Sequence, residues 1–292
     1  MLCGCLVLSI VVYLLSQEVM LRYLDQMHWL CTYLLLSFTW ALPGEAEGTA
    51  TYTCTATGIP FPEVFGAEIL LLSASSVTNH SVSLGQADAH FPINITGLDF
   101  CNVSVQYTHP GQNDRINVQV WLPLRQWNGR FMGTGGGGFA TEIGAWSLPY
   151  AVSLGYSAVA TDGGHLSDIF GHVTWALTSP GNINWALLQD FAAVALDDAA
   201  TIGKAVTTAY YGSHPKYSYW NGCSTGGRQG MMMAQRYPSQ YDGILAGAPA
   251  INWSRLTLGA YWAQLVMNQL GMYRLDILTL NTYGFRCLST TL

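Results

Sequence analysis

The sequence predicts an α/β domain built on a parallel sheet. Short apolar runs of strand character alternate with helical runs, each strand run ends in glycines or polar residues, and one strand-to-helix junction carries a serine between glycines. The stretch "RINVQVWLP" (115–123) alternates apolar and polar residues as a strand does. A short strand in "GRFMGTGGGG" (129–138) runs into a glycine loop, and "YSAVATDGGH" (156–165) is an apolar strand closing on polar residues. Over 184–211, Trp185, Leu188, Ala192, Ala195, Leu196, Ala199, Ile202 and Val206 recur at three and four, which predicts one helix closed by Gly212 and Pro215. A strand in "YSYWNG" (217–222), a helix in "GGRQGMMMAQRY" stopped by Pro238, and a strand in "YDGILAGAP" (241–249) complete the pattern. The segment from Cys54 to about Val105, punctuated by Pro60, Pro62, Pro92 and Gly97, reads as loops and short strands forming a tied-down arm.

Composition narrows the function classes. Only 10% of the 292 residues are charged, against about 25% in an average soluble domain. The 11 Lys and Arg form no cluster and the net charge is −6, so no patch is available to neutralise nucleic-acid phosphates. Residues 1–46 hold two apolar stretches, each shorter than the roughly 20 residues of a transmembrane helix. They predict a secretory signal and upstream hydrophobic segment, with no stable membrane span and an extracellular product. Sequons at Asn79, Asn94, Asn102 and Asn252 are glycosylation candidates in that setting. Removal of the leader would leave Cys54, Cys101, Cys223 and Cys287, for which three disulfide pairings are open. Their wide spacing opposes a structural zinc site, and no metal site is expected.

Gly222-Cys223-Ser224-Thr225-Gly226 matches G-x-S-x-G between a predicted strand and a predicted helix, the context of a nucleophile elbow. Ser224 is the candidate catalytic nucleophile. Oxyanion donors are expected from the backbone N–H of Thr225 and, in the loop "GTGGGGF" (133–139), of Gly136. Gly133, Gly135 and Gly138 also spell G-x-G-x-x-G, the fingerprint of a nucleotide-dependent enzyme, with Asp162 at the end of a later strand. Against that reading, residues 139–150 contain Gly144 and Pro149 and lack the long amphipathic helix that should begin at the last glycine. Asp162, His165, Asp168 and His172 are read as loop residues near the site mouth rather than as metal ligands. The aromatic-rich segment 253–275 fits a lid over an apolar substrate and a core helix equally well.

Together "WNGRF" (127–131), the glycine loop, "ATDGGH" (160–165), "GCSTGGRQG" (222–230) and "YPSQYDGILAGAPA" (237–250) resemble the tannase and feruloyl esterase family of secreted hydrolases. The resemblance implies an α/β-hydrolase fold, here incomplete. Residues 47–250 would form its core and 251–292 the start of an inserted lid. It also implies cleavage of small phenolic acid esters or plant cell-wall esters without a cofactor. Family lids often carry calcium, whose site is not expected in this chain. By the same resemblance Cys54 and Cys101 would pair, and Cys223 and Cys287 would each need a partner that the sequence does not hold. No histidine follows Ser224, and only Asp242 and Asp276 follow it as acids, so the triad acid and base are missing. The chain as it stands is therefore expected to be a truncated form with little or no esterase activity. The alternatives are a non-catalytic protein binding such esters and, further off, the nucleotide-dependent enzyme.

Overall fold

A computed structural model describes residues 53–83, 94–171 and 174–269. The chain divides into Met1–Thr51, outside the described residues, and Tyr52–Leu292. In the second unit the strands are β1 (Glu68–Ser83), β2 (Asn94–Thr108), β3 (Ile116–Pro123), β4 (Arg130–Thr134), β5 (Ser157–Thr161), β6 (Leu177–Ser179), β7 (Asn182–Ile183), β8 (Tyr217–Cys223) and β9 (Gly243–Gly247). The helices are α1 (Gly144–Ser153), α2 (Trp185–Ala192), α3 (Val194–Tyr211), α4 (Thr225–Arg236) and α5 (Trp253–Gln269).

Seven strands form one sheet in the order β1-β2-β3-β5-β4-β8-β9. The pairs from β1 through β3 to β5 are antiparallel, and those of β5, β4, β8 and β9 are parallel. The parallel sheet expected from the sequence is thus half of a mixed one. Strand β4 lies between β5 and β8, so the chain reverses its direction of travel across the sheet there. In open α/β sheets, ligands bind beyond the carboxyl ends of strands at such a switch point. Pairing of Thr134 with Asn221 brings the ends of β4 and β8 side by side, and with them the glycine loop and Ser224.

The N-terminal arm departs most from its sequence reading. Residues expected to form loops and short strands make a 16-residue β1 and a 15-residue β2 instead. Cys101, Val103, Val105 and Tyr107 are buried at every second position, which is the period of a half-buried strand. Gly97 adopts φ +70°, and register shifts at Val77/His80 and His80/Val82 absorb the irregularity that its sequence suggested. A disulfide joins Cys54 to Cys101 with the Cα atoms 5.6 Å apart, as the family resemblance implied.

The helix expected over 184–211 breaks at Ala193, where φ is −160°. The carbonyls of Phe191 and Ala192 turn to the Arg228 guanidinium, each at 3.1 Å, instead of continuing the helical ladder. Gly212, at φ 70°, closes α3 as expected. Residues 139–150 hold the start of a 10-residue helix, not the long one beginning at the last glycine that a dinucleotide fold requires. Helix α1 begins at Gly144, well past Gly138, and carries Pro149 inside it. A dinucleotide fingerprint needs the helix to open on its last glycine, so this geometry opposes that alternative.

Two apolar clusters cover the sheet. One joins β2, β3, β4, β5 and β8 to α3 through Val103, Val118, Phe131, Leu196, Ile202 and Trp220. The other packs α1, through Leu148, Ala151 and Val152, onto Phe100, Trp121, Met132 and Ala158. Helix α5 has no buried residue, and Leu258, Tyr261 and Trp262 are 70%, 62% and 67% exposed. Its described part is therefore not core.

Candidate active site

Strand β8 ends at Cys223 and α4 starts at Thr225, leaving Ser224 alone in the turn. Its backbone sits at φ 59°, ψ −116°, a region that residues with a Cβ seldom occupy, at a cost of about 1–3 kcal/mol. Hydrogen bonds hold it there. Ser224 N–H donates to Gly247 O at 3.0 Å, and Ser224 O accepts from Ala250 N–H at 2.9 Å and from Arg228 N–H at 3.0 Å. The side chain is exposed and does not cap α4. This is the elbow that the sequence predicts.

The glycines explain how the pieces approach. A Cβ on Gly222 would stand 2.6 Å from Gly226 O, and one on Gly135 would stand 2.5 Å from Gly226 Cα. On Gly227 it would collide with Gly247 O. Strand, helix and glycine loop therefore meet backbone to backbone, and Gly226 N–H donates to Gly136 O at 2.9 Å across the junction. Trp220 Nε1–H donates to Gly226 O at 3.0 Å beneath it.

The two backbone N–H groups expected as oxyanion donors differ in their hydrogen bonding. Thr225 N–H, first in its helix, has no acceptor among the described residues, as an oxyanion donor requires. Its hydroxyl donates to Gly138 O at 2.5 Å and clamps the glycine loop to the elbow. Gly136, expected as the second donor, instead gives its N–H to Gln229 Oε1 at 3.0 Å in a buried setting. Gly137 N–H has no acceptor among the described residues, and Gly137 is half-buried where Gly136 is buried, so its N–H is left open to a ligand. Gln229 also donates from Nε2 to Thr141 O at 2.9 Å, spanning both sides of the loop. Gln229 was not singled out in the sequence, although it lies one helical turn beyond Thr225 on the same face.

Arg228 anchors α4 to α2 through the two carbonyls that end α2, and its guanidinium lies 4.6 Å over the Phe191 ring. Burial pushes it down to about 10, still fully charged near neutrality. Cys223 is a half-buried free thiol directly before the nucleophile, whereas Cys287 and Asp276 lie outside the described residues. Asp242 exchanges hydrogen bonds with Ser218, accepting at 2.7 Å and donating its N–H at 2.8 Å, which ties β8 to β9 and leaves it no triad role.

Each described histidine is committed elsewhere. His80 lies edge-on to Phe100 and Trp121, and His214 meets the Thr208 hydroxyl at 3.1 Å. Both ring nitrogens of His109 face carboxylates. His165 donates from Nδ1 to Leu166 O at 3.0 Å, accepts at Nε2 from Thr141 at 2.9 Å and stacks on Trp175 with centroids 3.9 Å apart. Burial lowers its pKa from the usual 6.5, against the opposing pull of the Leu166 carbonyl, so the neutral form is the one built into the fold. A histidine lowered in the folded state stabilises fully above its unfolded value and loses that contribution as pH falls through 6.5 and below. His165→Gln should accordingly flatten the acid limb of urea stability measured between about pH 7.5 and 5.5. An unchanged limb would contradict the assignment.

Asp162 accepts from Asn117 N–H at 2.9 Å, Asn117 Nδ2 at 2.6 Å and Gly164 N–H at 2.8 Å, while Asp168 accepts from Phe170 N–H at 2.9 Å. Both brace the loop, and His172 lies outside the described residues. A polar cleft of about 750 Å³ opens beside the loop, lined by Asn117, Glu142, Asp162, His165 and Trp175 but not by Ser224.

The sequence of residues 101–275, more than half of the chain, matches the family model described as tannase and feruloyl esterase. A probable feruloyl esterase of Arthroderma benhamiae is 48% identical over 173 residues, covering 59% of this chain and 32% of that protein. A tannase of Aspergillus oryzae is 33% identical over 208 residues, covering 69% of this chain and 33% of its own length. Among solved structures, tannin acyl hydrolase from Aspergillus niger superposes with a TM-score of 0.66 at 33% identity, over 76% of this chain and 41% of that one. Feruloyl esterase B from Aspergillus oryzae gives 0.54 at 30% identity, over 68% and 38%. The chain spans about a third of the length of the curated relatives it matches. Its mixed sheet, its strand–serine–helix junction and these matches agree on an α/β-hydrolase fold, and the chain belongs to the tannase and feruloyl esterase family.

Proposed function

We propose that this chain carries the nucleophile and oxyanion donors of a secreted ester hydrolase acting on esters of phenolic acids. The backbone of Ser224 at φ 59° carries the reading, because a strained, exposed serine held by three backbone hydrogen bonds between strand and helix is the arrangement of an elbow nucleophile. Ser224 Oγ would attack the ester carbonyl carbon, and the carbonyl oxygen would gather negative charge against the N–H groups of Thr225 and Gly137. The N-terminus of α4 favours the same charge. Collapse of that intermediate expels the alcohol and leaves the acyl group on Ser224, and water then releases the acid.

Proton removal from Ser224 needs a base, which in such triads is an imidazole oriented by a carboxylate. No histidine follows Ser224 in this sequence, and the described ones are bonded elsewhere. The purified chain is therefore expected to hydrolyse methyl gallate and methyl ferulate no faster than Ser224→Ala does. Turnover removed by Ser224→Ala would show that a base lies within the chain.

Secretion is supported by the Cys54–Cys101 disulfide, which forms in oxidising compartments, and by the exposure of Asn79, Asn94 and Asn252. Asn102 is half-buried inside β2 between Ser75 and Trp121, with its Oδ1 buried, and is a poor glycan acceptor. Substrates with aromatic acyl groups are favoured by Phe139 and Trp253, which meet edge to face 5.2 Å apart beside the glycine loop.

A further inference from the structure

We propose that His109, Asp114 and Asp190 form a buried site for one divalent metal ion of the zinc class, separate from the Ser224 elbow and structural in role. The donors come from two segments that the chain brings together, His109 and Asp114 from the connection between β2 and β3, and Asp190 from α2. One donor atom from each lies within 4.8 Å of the others, and all three residues are buried.

Asp190 points to a ligand independently of that convergence. It is 0% exposed, and neither carboxylate oxygen has a hydrogen-bond partner. Buried carboxylates are paired, hydrogen-bonded or metal-bound, since an isolated one is costly. Its charged neighbours are His109, Asp114 and Asp198, so three carboxylates face a single imidazole. Burial, reinforced by Asp114 and Asp198 and opposed by His109, pushes Asp190 up to about 7. A divalent ion would supply both the charge and the bonds that the two Asp190 oxygens lack.

The geometry fits such an ion. His109 Nδ1 and Asp190 Oδ1 are 3.9 Å apart, and a side-chain closure of a few tenths of an ångström brings them to the roughly 3.3–3.6 Å between adjacent ligands of a tetrahedral ion with bonds of about 2.0–2.2 Å. Asp114 Oδ2, now 2.5 Å from Nδ1, completes the face. Asp114 Oδ1 is held apart by Thr108 Oγ1–H and His109 N–H, both at 2.8 Å, so that Oδ2, paired among the described residues only with His109 Nδ1, is the oxygen that would turn to the ion. On the far side of the ring, His109 Nε2 lies 3.1 Å from Asp198 Oδ2, which also accepts from Tyr107 O–H at 3.0 Å. A ligating histidine characteristically donates its other N–H to a carboxylate in this way, which fixes the tautomer with Nδ1 toward the metal. On binding, the metal replaces the proton between Nδ1 and Asp114 Oδ2, and that proton leaves to solvent. Mixed imidazole and carboxylate donors suit zinc better than calcium or magnesium.

The test uses the full chain, stripped with EDTA and with free thiols alkylated, because its seven cysteines could otherwise bind zinc. Titration with Zn²⁺ alone should show one equivalent bound with release of a proton, read as a buffer-dependent heat, and a rise in melting temperature. Asp190→Asn and His109→Gln should each weaken binding about 100-fold or more. Absence of saturable binding, or binding undiminished in Asp190→Asn, would overturn the proposal. If the variants do not fold, zinc-edge X-ray absorption of the wild-type chain decides. Imidazole nitrogen with oxygen supports the site, and sulfur or oxygen alone refutes it.

Discussion

Replacing Gly222 by alanine should cost more than about 3 kcal/mol and disassemble the elbow, a loss at the upper end of what overpacking causes. The new Cβ would stand 2.6 Å from Gly226 O and 2.7 Å from Gly226 C, and both atoms belong to backbone. A flexible side chain could swing away, but here α4 would have to lift off β8 as a unit. That movement would also strain the bonds from Ser224 to Gly247 and from Gly226 to Gly136, which run through the same contact. Gly212 provides the comparison. It has φ 70°, and a Cβ there would meet nothing within 4 Å, so Gly212→Ala should cost only about 1–2 kcal/mol, for backbone conformation alone. Urea unfolding of both variants separates close packing from left-handed strain, and a Gly222→Ala loss below that of Gly212→Ala would contradict the packing account.

Gln229→Leu should cost about 2–5 kcal/mol although it nearly preserves volume. It leaves Gly136 N–H and Thr141 O buried without partners, at about 1–3 kcal/mol for each orphaned group. Gln229→Glu should fall between the two, since a carboxylate can accept from Gly136 but repels the Thr141 carbonyl. Gln235→Leu, on the exposed side of α4, should change stability by no more than about 0.5 kcal/mol. Equal effects at Gln229 and Gln235 would show that the bridge to the glycine loop carries no weight.

Gly222 and Gln229 mark what the sequence made legible. G-x-S-x-G between strand and helix located Ser224, because the motif and its flanking elements are local and contiguous. Which loop N–H is open was not legible, since four successive glycines offer four N–H groups and only the fold shows that Gln229 occupies the one at Gly136. The break at Ala193 was hidden for a related reason: it depends on Arg228, distant in sequence, drawing off two carbonyls. Proline and glycine punctuation disguised β1 and β2, although the alternation from Cys101 to Tyr107 was there to be read. The cluster of His109 and Asp114 with Asp190 joins α2 to a connection far before it in the chain, and no spacing rule covers it.

In the proposed mechanism Ser224 is the nucleophile, and no described histidine is placed to act as its base, so supplying imidazole in solution isolates the role of Ser224. Hydrolysis of p-nitrophenyl ferulate by the purified chain should rise with imidazole concentration above the rate that Ser224→Ala shows at the same concentration. Equal rates for the wild-type chain and Ser224→Ala at every imidazole concentration would contradict Ser224 as the nucleophile.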